Sequence, residues 1–133
     1  AVPLICISTL EAMFYGIKSA ISETEILFCP MIDARRMEVY TAVFDANGNK
    51  LLHEQPMILH KNSFNEYNIN QMIFYGTGAQ KFKTLNQDIQ LVNFQSSATH
   101  LITLAVKKYH EKIFEDVAYA EPNYIKPFYS VTK

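Results

Sequence analysis

The sequence predicts one α/β domain on a mixed sheet, in which an antiparallel meander of three strands precedes strands that alternate with helices. Three observations predict it. Residues 26–33, 38–45 and 50–59 are consecutive segments rich in β-branched and aromatic residues and bounded by turn signals. Asn47-Gly48 stands in the short gap between the second and third, a dipeptide suited to a hairpin, so these neighbours are antiparallel. Beyond residue 70, apolar runs at 72–75 and 89–94 alternate with helical periodicity, the pattern of parallel strands joined by crossovers.

The elements follow in order. Residues 3–7 form a short apolar strand, and Ser8-Thr9-Leu10-Glu11 reads as a capping box that starts a helix. Leu10, Met13, Phe14, Ile17 and Ile21 recur at helical spacing, so residues 9–21 should bury one face. In the strand at 38–45, Val39, Thr41 and Val43 share one face and Tyr40, Ala42 and Phe44 the other. Both faces suit burial, which makes this strand central. Residues 62–70 are polar and read as a short helix plus loop. The strand at 72–75 runs into Gly76-Thr77-Gly78-Ala79, where glycine permits a sharp turn into a helix. Another strand is expected at 89–94, after which Ser97 caps a helix over 98–114 with Leu101, Ile102, Ala105, Tyr109 and Ile113 as its buried stripe. The tail, residues 119–133, reads as extended. From residue 26 the order β-β-β-α-β-α-β-α is that of a ribonuclease-H-like or actin-like lobe.

With 133 residues the chain is long enough for one domain with a genuine core. Charged residues make up 19%, below the ~25% usual for soluble domains, so either a large core or a partner covers the apolar surplus. A net charge of −1 argues against a nucleic-acid binder that works through bulk electrostatics. Cys6 and Cys29 lie in apolar runs without CxxC spacing and read as buried free thiols of a reducing cytoplasm. No apolar stretch reaches the length of a membrane span, and residues 1–8 lack the features of a signal peptide, so a cytoplasmic protein without a membrane partner is expected. Position 1 is not Met, compatible with a fragment of a longer chain.

Asp33, Arg35, Arg36 and Glu38 form the densest charge cluster and follow the first strand of the meander. A two-metal nuclease needs several convergent carboxylates, and only Asp45 and Asp88 are available from other strand ends. The competing reading is a charged hairpin turn that offers a contact surface. Gly76, Thr77 and Gly78 open a helix and invite a phosphate-cradling reading, yet they match neither GxGxxG nor GxxxxGK[ST]. His53, His60, His100 and His110 lie apart without metal-ligand spacing, and no activated nucleophile is evident. No metal, cofactor or catalytic residue is expected.

The segments VPLICISTLEAM (2–13), MIDARRMEVYTAVF (31–44), YGTGAQ (75–80) and AEPNYIKPFY (120–129) occur in the order found in the YeaZ, or TsaB, family, and the chain resembles the C-terminal part of those proteins. Met37 stands where many members have Gly. The resemblance implies an actin-like (ASKHA) fold, with residues 1–21 the last strand and helix of a missing N-terminal lobe and residues 22–133 a C-terminal lobe with an extended tail. Residues 1–21 would then dock on this lobe or on another copy. The resemblance also implies an accessory subunit, once described as a glycoprotease homologue, with no peptidase activity. Such a subunit supports TsaD, together with the ATPase TsaE, in transferring threonylcarbamoyl to the adenosine next to the anticodon of tRNAs reading ANN codons. Its contact with TsaD would lie largely on the missing lobe, its contact with tRNA would be indirect, and a homodimer is possible. A ribonuclease-H-like nuclease and a nucleotide-binding lobe remain the alternatives.

Overall fold

The computed structural model describes residues 2–126. Strands β1 (Leu27–Asp33), β2 (Glu38–Phe44), β3 (Lys50–Ile58), β4 (Met72–Tyr75) and β5 (Gln90–Leu91) form one sheet in the order β3-β2-β1-β4-β5. The meander is antiparallel, with Asp33 opposite Val39 and Tyr40 opposite Pro56, whereas β4 runs parallel to β1 and β5 parallel to β4. This is the mixed, ribonuclease-H-like sheet that the sequence predicts.

Helix α1 (Thr9–Lys18) covers one face and α2 (Ala79–Leu85) the other. The period-2 alternation decides which side chain meets which helix. Phe28, Ala42, Phe44, Ile73 and Tyr75 meet Leu10, Met13, Phe14 and Ile17 of α1, while Cys29, Met31, Val39, Val43, Met72 and Phe74 meet Ala79 and Phe82. Phe14 is the hinge pin of the first core: its ring stacks on Phe44 at 4.9 Å and meets Phe28 edge-on at 5.2 Å. Ser8 caps α1 by accepting the Glu11 amide at 3.4 Å.

Several expectations are corrected. Residues 3–7 form no strand, because only Leu4 finds a backbone partner, in an isolated bridge to Glu115. The first helix ends at Lys18 rather than residue 21. The short helix expected within 62–70 is a three-residue 3-10 helix, Ile69–Gln71, at the end of that segment, and the rest is turn and loop. Strand β2 lies inside the sheet and is buried on both faces, but the middle position belongs to β1. Strand β5 has two residues in place of six, since the four-residue β4 offers only Ile73 and Phe74 as ladder partners before the chain turns at Gly76. The last helical region opens as 3-10 over Ala98–Leu101 and becomes α3 over Ile102–His110. Its expected stripe is not buried: Leu104 is the buried residue of α3, and Ile102, Tyr109 and Ile113 are exposed. Cys29 is buried as expected, whereas Cys6 is exposed. Tail residues beyond 126 lie outside the described residues.

Candidate functional site

Because β1 and β4 are parallel neighbours, with Pro30 opposite Tyr75, their C-terminal ends bring the Asp33 turn beside Gly76-Thr77-Gly78. In open α/β sheets this is the end at which ligands are held. Thr77 Oγ1 accepts the Asp33 amide at 3.0 Å, and the Gly78 amide donates to the Met31 carbonyl at 3.0 Å. Glycine is required on sterics: Gly76 has φ of +99°, and a Cβ there would collide with the Met31 carbonyl. A Cβ on Gly78 would stand 2.7 Å from Val39 Cγ1.

The charge cluster divides across the sheet. Asp33 is paired with Val39 and shares its face, and Glu38, one residue earlier, points its side chain the other way. On the α2 face the Asp33 carboxylate accepts Lys81 Nζ at 2.6 Å and the Arg35 amide at 2.8 Å. The Lys81 bond first, and the Arg35 amide second, hold the Asp33 carboxyl below the usual aspartate range. Lys81 Nζ also donates to the Glu38 carbonyl at 2.9 Å, so one ammonium fastens both arms of the hairpin. On the α1 face the Glu38 carboxylate accepts Lys126 Nζ at 2.8 and 3.0 Å.

Between these anchors, Arg35 and Arg36 are exposed and take left-handed backbone conformations, with φ of +72° and +45°. Left-handed backbone falls on these two residues and not on Met37, so the absence of Gly at position 37 leaves the turn intact. The turn closes through Glu38 amide to Arg35 carbonyl and Ala34 amide to Glu38 carbonyl bonds of 3.0 and 3.1 Å. What it presents is a pair of guanidinium groups on a fixed turn, a chemistry suited to carboxylates or phosphates.

Two other chemistries fit poorly. Asp45 lies at the opposite end of β2 from Glu38, and Asp88 just before β5, so both sit at the far end of the sheet from Asp33. Strand length puts that separation at roughly 20 Å. Asp45 caps the β2–β3 hairpin instead, accepting the Asn47 and Asn49 amides at 2.8 and 2.9 Å and Asn49 Nδ2 at 2.8 Å. No group of three His, Cys, Asp or Glu side chains able to hold a metal occurs among the described residues. The phosphate-cradle reading of the glycine turn needs free amides, but Gly78, Ala79 and Lys81 already donate theirs to backbone carbonyls.

The sequence reading missed a groove of about 690 Å³ on the α1 face. It is lined by the segment entering α1, by Ile32, Tyr40 and Glu54 of the meander, and by tail residues 121–126. Glu54 lies 2.9 Å from Lys50 Nζ. Burial raises its carboxyl, but bonds with Lys50 and Ser8 outweigh that and hold it below the usual glutamate range. Within AEPNYIKPFY, Lys126 marks where the tail reaches the meander, a contact across 88 positions that no local pattern reveals. No helix of the described residues is long and apolar enough to cross a membrane.

An open mixed sheet with helices on both faces and a charged turn beside a glycine turn defines a ribonuclease-H-like, actin-type lobe. Among solved structures, YeaZ proteins share this fold. The chain is similar to YeaZ from Pseudomonas aeruginosa, with a TM-score of 0.73 and 18% identity over 92% of its length. It is also similar to a protein described as having similarity to peptidase YeaZ from Pseudomonas aeruginosa, with a TM-score of 0.64 and 17% identity over 93%. The chain spans 59% of the length of each, a share that fits the C-terminal lobe of a YeaZ protein. No family model and no curated protein matches the sequence.

Proposed function

We propose that the chain is the C-terminal lobe of a TsaB-type accessory subunit in the cytoplasm, a scaffold without chemistry of its own. It supports TsaD, alongside TsaE, in transferring threonylcarbamoyl to the adenosine next to the anticodon of tRNAs reading ANN codons, and meets tRNA only indirectly. The observation that carries this reading is the YeaZ-type fold over 92% of the chain, with two of its YeaZ-like segments, 31–44 and 75–80, hydrogen-bonded side by side at one sheet end. On this reading Arg35 and Arg36 are the contact groups of the lobe, and Asp33, Glu38, Thr77 and the two glycines hold their turn in place. The wide separation of Asp33 from Asp45 and Asp88 weighs against the nuclease alternative.

The test is capture of purified TsaD and TsaE by a chimera that joins this chain to the N-terminal lobe of Pseudomonas aeruginosa YeaZ. Retention of both proteins, weakened at least several-fold by Arg35→Glu with Arg36→Glu, is expected. Because the TsaD contact falls largely on the N-terminal lobe, the deciding protein is TsaE: equal retention of TsaE by the YeaZ N-terminal lobe alone would remove any role for this chain.

A further inference from the structure

The groove on the α1 face is assembled from three parts of the chain. Ile32 and Tyr40, opposite one another in the β1–β2 ladder, form its floor with Glu54, and Ile7 and Leu10 form the wall that enters α1. Residues 121–126 form the other wall. That segment is tied at both ends. Before it, the Ala120 amide donates to the Asp116 carbonyl at 2.8 Å and closes a turn. At its far end, Lys126 Nζ donates to both Glu38 carboxylate oxygens at 2.8 and 3.0 Å. Between the ties, residues 121–124 are exposed and Ile125 is half-buried. A short segment that is fastened at its ends along a cavity is built as a strap.

We propose that this groove binds a small organic cation with an apolar ring body, and that residues 121–126 are the strap that admits and retains it, latched by Lys126 on Glu38. Size, lining and charge select that ligand. A volume of about 690 Å³ falls within the range of pockets that hold small molecules. Ile7, Leu10, Ile32, Tyr40 and Ile125 give the groove an apolar body, which suits a ring. Charge then sets the head group. Lys50 Nζ lies 2.9 Å from Glu54 and 3.8 Å from Glu11, so together with Glu121 three carboxylates share one ammonium. Lys126 is the only Lys or Arg among the described groove residues, and Glu38 already takes its ammonium. Even with the positive end of α1 counted, negative charge is in excess and draws a cationic head into the groove. The latch suits a gate, because an ion pair with side chains 34% and 18% exposed contributes little to stability and opens readily. This inference stands independently of the proposed function.

Fluorescence titration of the 133-residue chain with two probes provides the test. Dansylcadaverine joins an aromatic ring system to a primary ammonium, and dansylglycine joins the same rings to a carboxylate. The proposal expects saturable, blue-shifted emission from dansylcadaverine in the micromolar range and none from dansylglycine. Glu54→Gln with Glu121→Gln should weaken dansylcadaverine several-fold. In stopped-flow mixing, Lys126→Met should raise its association and dissociation rates together, each several-fold, with a smaller change in affinity, which is the behaviour of a gate and not of a contact. Amide chemical shifts of the unmodified chain should move at Ile32, Tyr40 and Ile125 when dansylcadaverine is added, a readout that needs no variant to fold. A chain that shows no saturable binding up to millimolar dansylcadaverine overturns the proposal. So does equal binding of dansylglycine, a set of shifts that leaves those three residues unmoved, or a Lys126→Met chain with the rates of the parent.

Discussion

Lys81 reaches across 48 positions of sequence to place its ammonium 2.6 Å from the Asp33 carboxylate, joining α2 to the hairpin that carries Arg35 and Arg36. The same ammonium holds the Glu38 carbonyl, so the turn is fastened at both ends by one side chain. Lys81→Met should therefore loosen the turn while sparing the core. The expected readout is faster hydrogen exchange at the Ala34 and Glu38 amides with only a small fall in Tm, because exposed ion pairs contribute little to stability. Unchanged exchange at both amides would show that the turn does not depend on this anchor.

Gly76→Ala places a Cβ against the Met31 carbonyl and forces an L-residue to keep φ near +99°. The expected cost is about 2–4 kcal/mol, read as a lower urea midpoint at unchanged m value. A variant as stable as the parent would mean that β1 and β4 do not approach as closely as described.

Phe14 is 1% exposed and joins α1 to the sheet through Phe28 and Phe44. Phe14→Ala should cost about 3–5 kcal/mol. Loss of under 1 kcal/mol would indicate that α1 is not seated on this face.

Tyr75 is fully buried, and its hydroxyl has no hydrogen-bond partner among the described residues. Burial accordingly drives its ionisation far upward. Removing an unsatisfied hydroxyl while keeping the ring should help, so Tyr75→Phe is expected to raise stability by about 1 kcal/mol. A clear loss would reveal a partner for the hydroxyl.

Asp33, Asp45 and Glu54 are all held below their ordinary values of 3.8, 3.8 and 4.5. Each binds fewer protons folded than unfolded near those values, so its contribution is complete above the unfolded pKa and disappears as pH falls through the folded one. Tm should be flat from pH 7 to about 5 and decline below it. Asp45→Asn, which removes one of these carboxylates, should make that decline shallower. A Tm that rises on acidification would contradict the assignment of these three anchors.

The sheet was legible because its residues obey two periodicities strictly: Val39, Thr41 and Val43 against Tyr40, Ala42 and Phe44, and Leu10, Met13, Phe14 and Ile17 at helical spacing. Ladder length was not legible. A run such as 89–94 looks like a strand, but the brevity of β4 decides how many of its residues pair. The candidate site was legible as two local clusters, whereas Lys81 and Lys126 became part of it only through contacts spanning 48 and 88 positions. The division of Asp33 and Glu38 between two faces follows from register, which depends on the fold as a whole. For α3 the spacing marked Leu101, Ile102, Ala105, Tyr109 and Ile113 as the buried stripe, whereas the helix is seated through Leu104, because periodicity does not say which of two apolar sides faces the core.

The scaffold role is tested most directly by mass-spectrometric measurement of threonylcarbamoyladenosine in tRNA from Pseudomonas aeruginosa cells depleted of their own YeaZ. Cells expressing the chimera of the YeaZ N-terminal lobe with this chain should recover the modified nucleoside, while cells expressing the N-terminal lobe alone should not. A folded, well-expressed chimera that leaves the nucleoside at the depleted level would contradict the account.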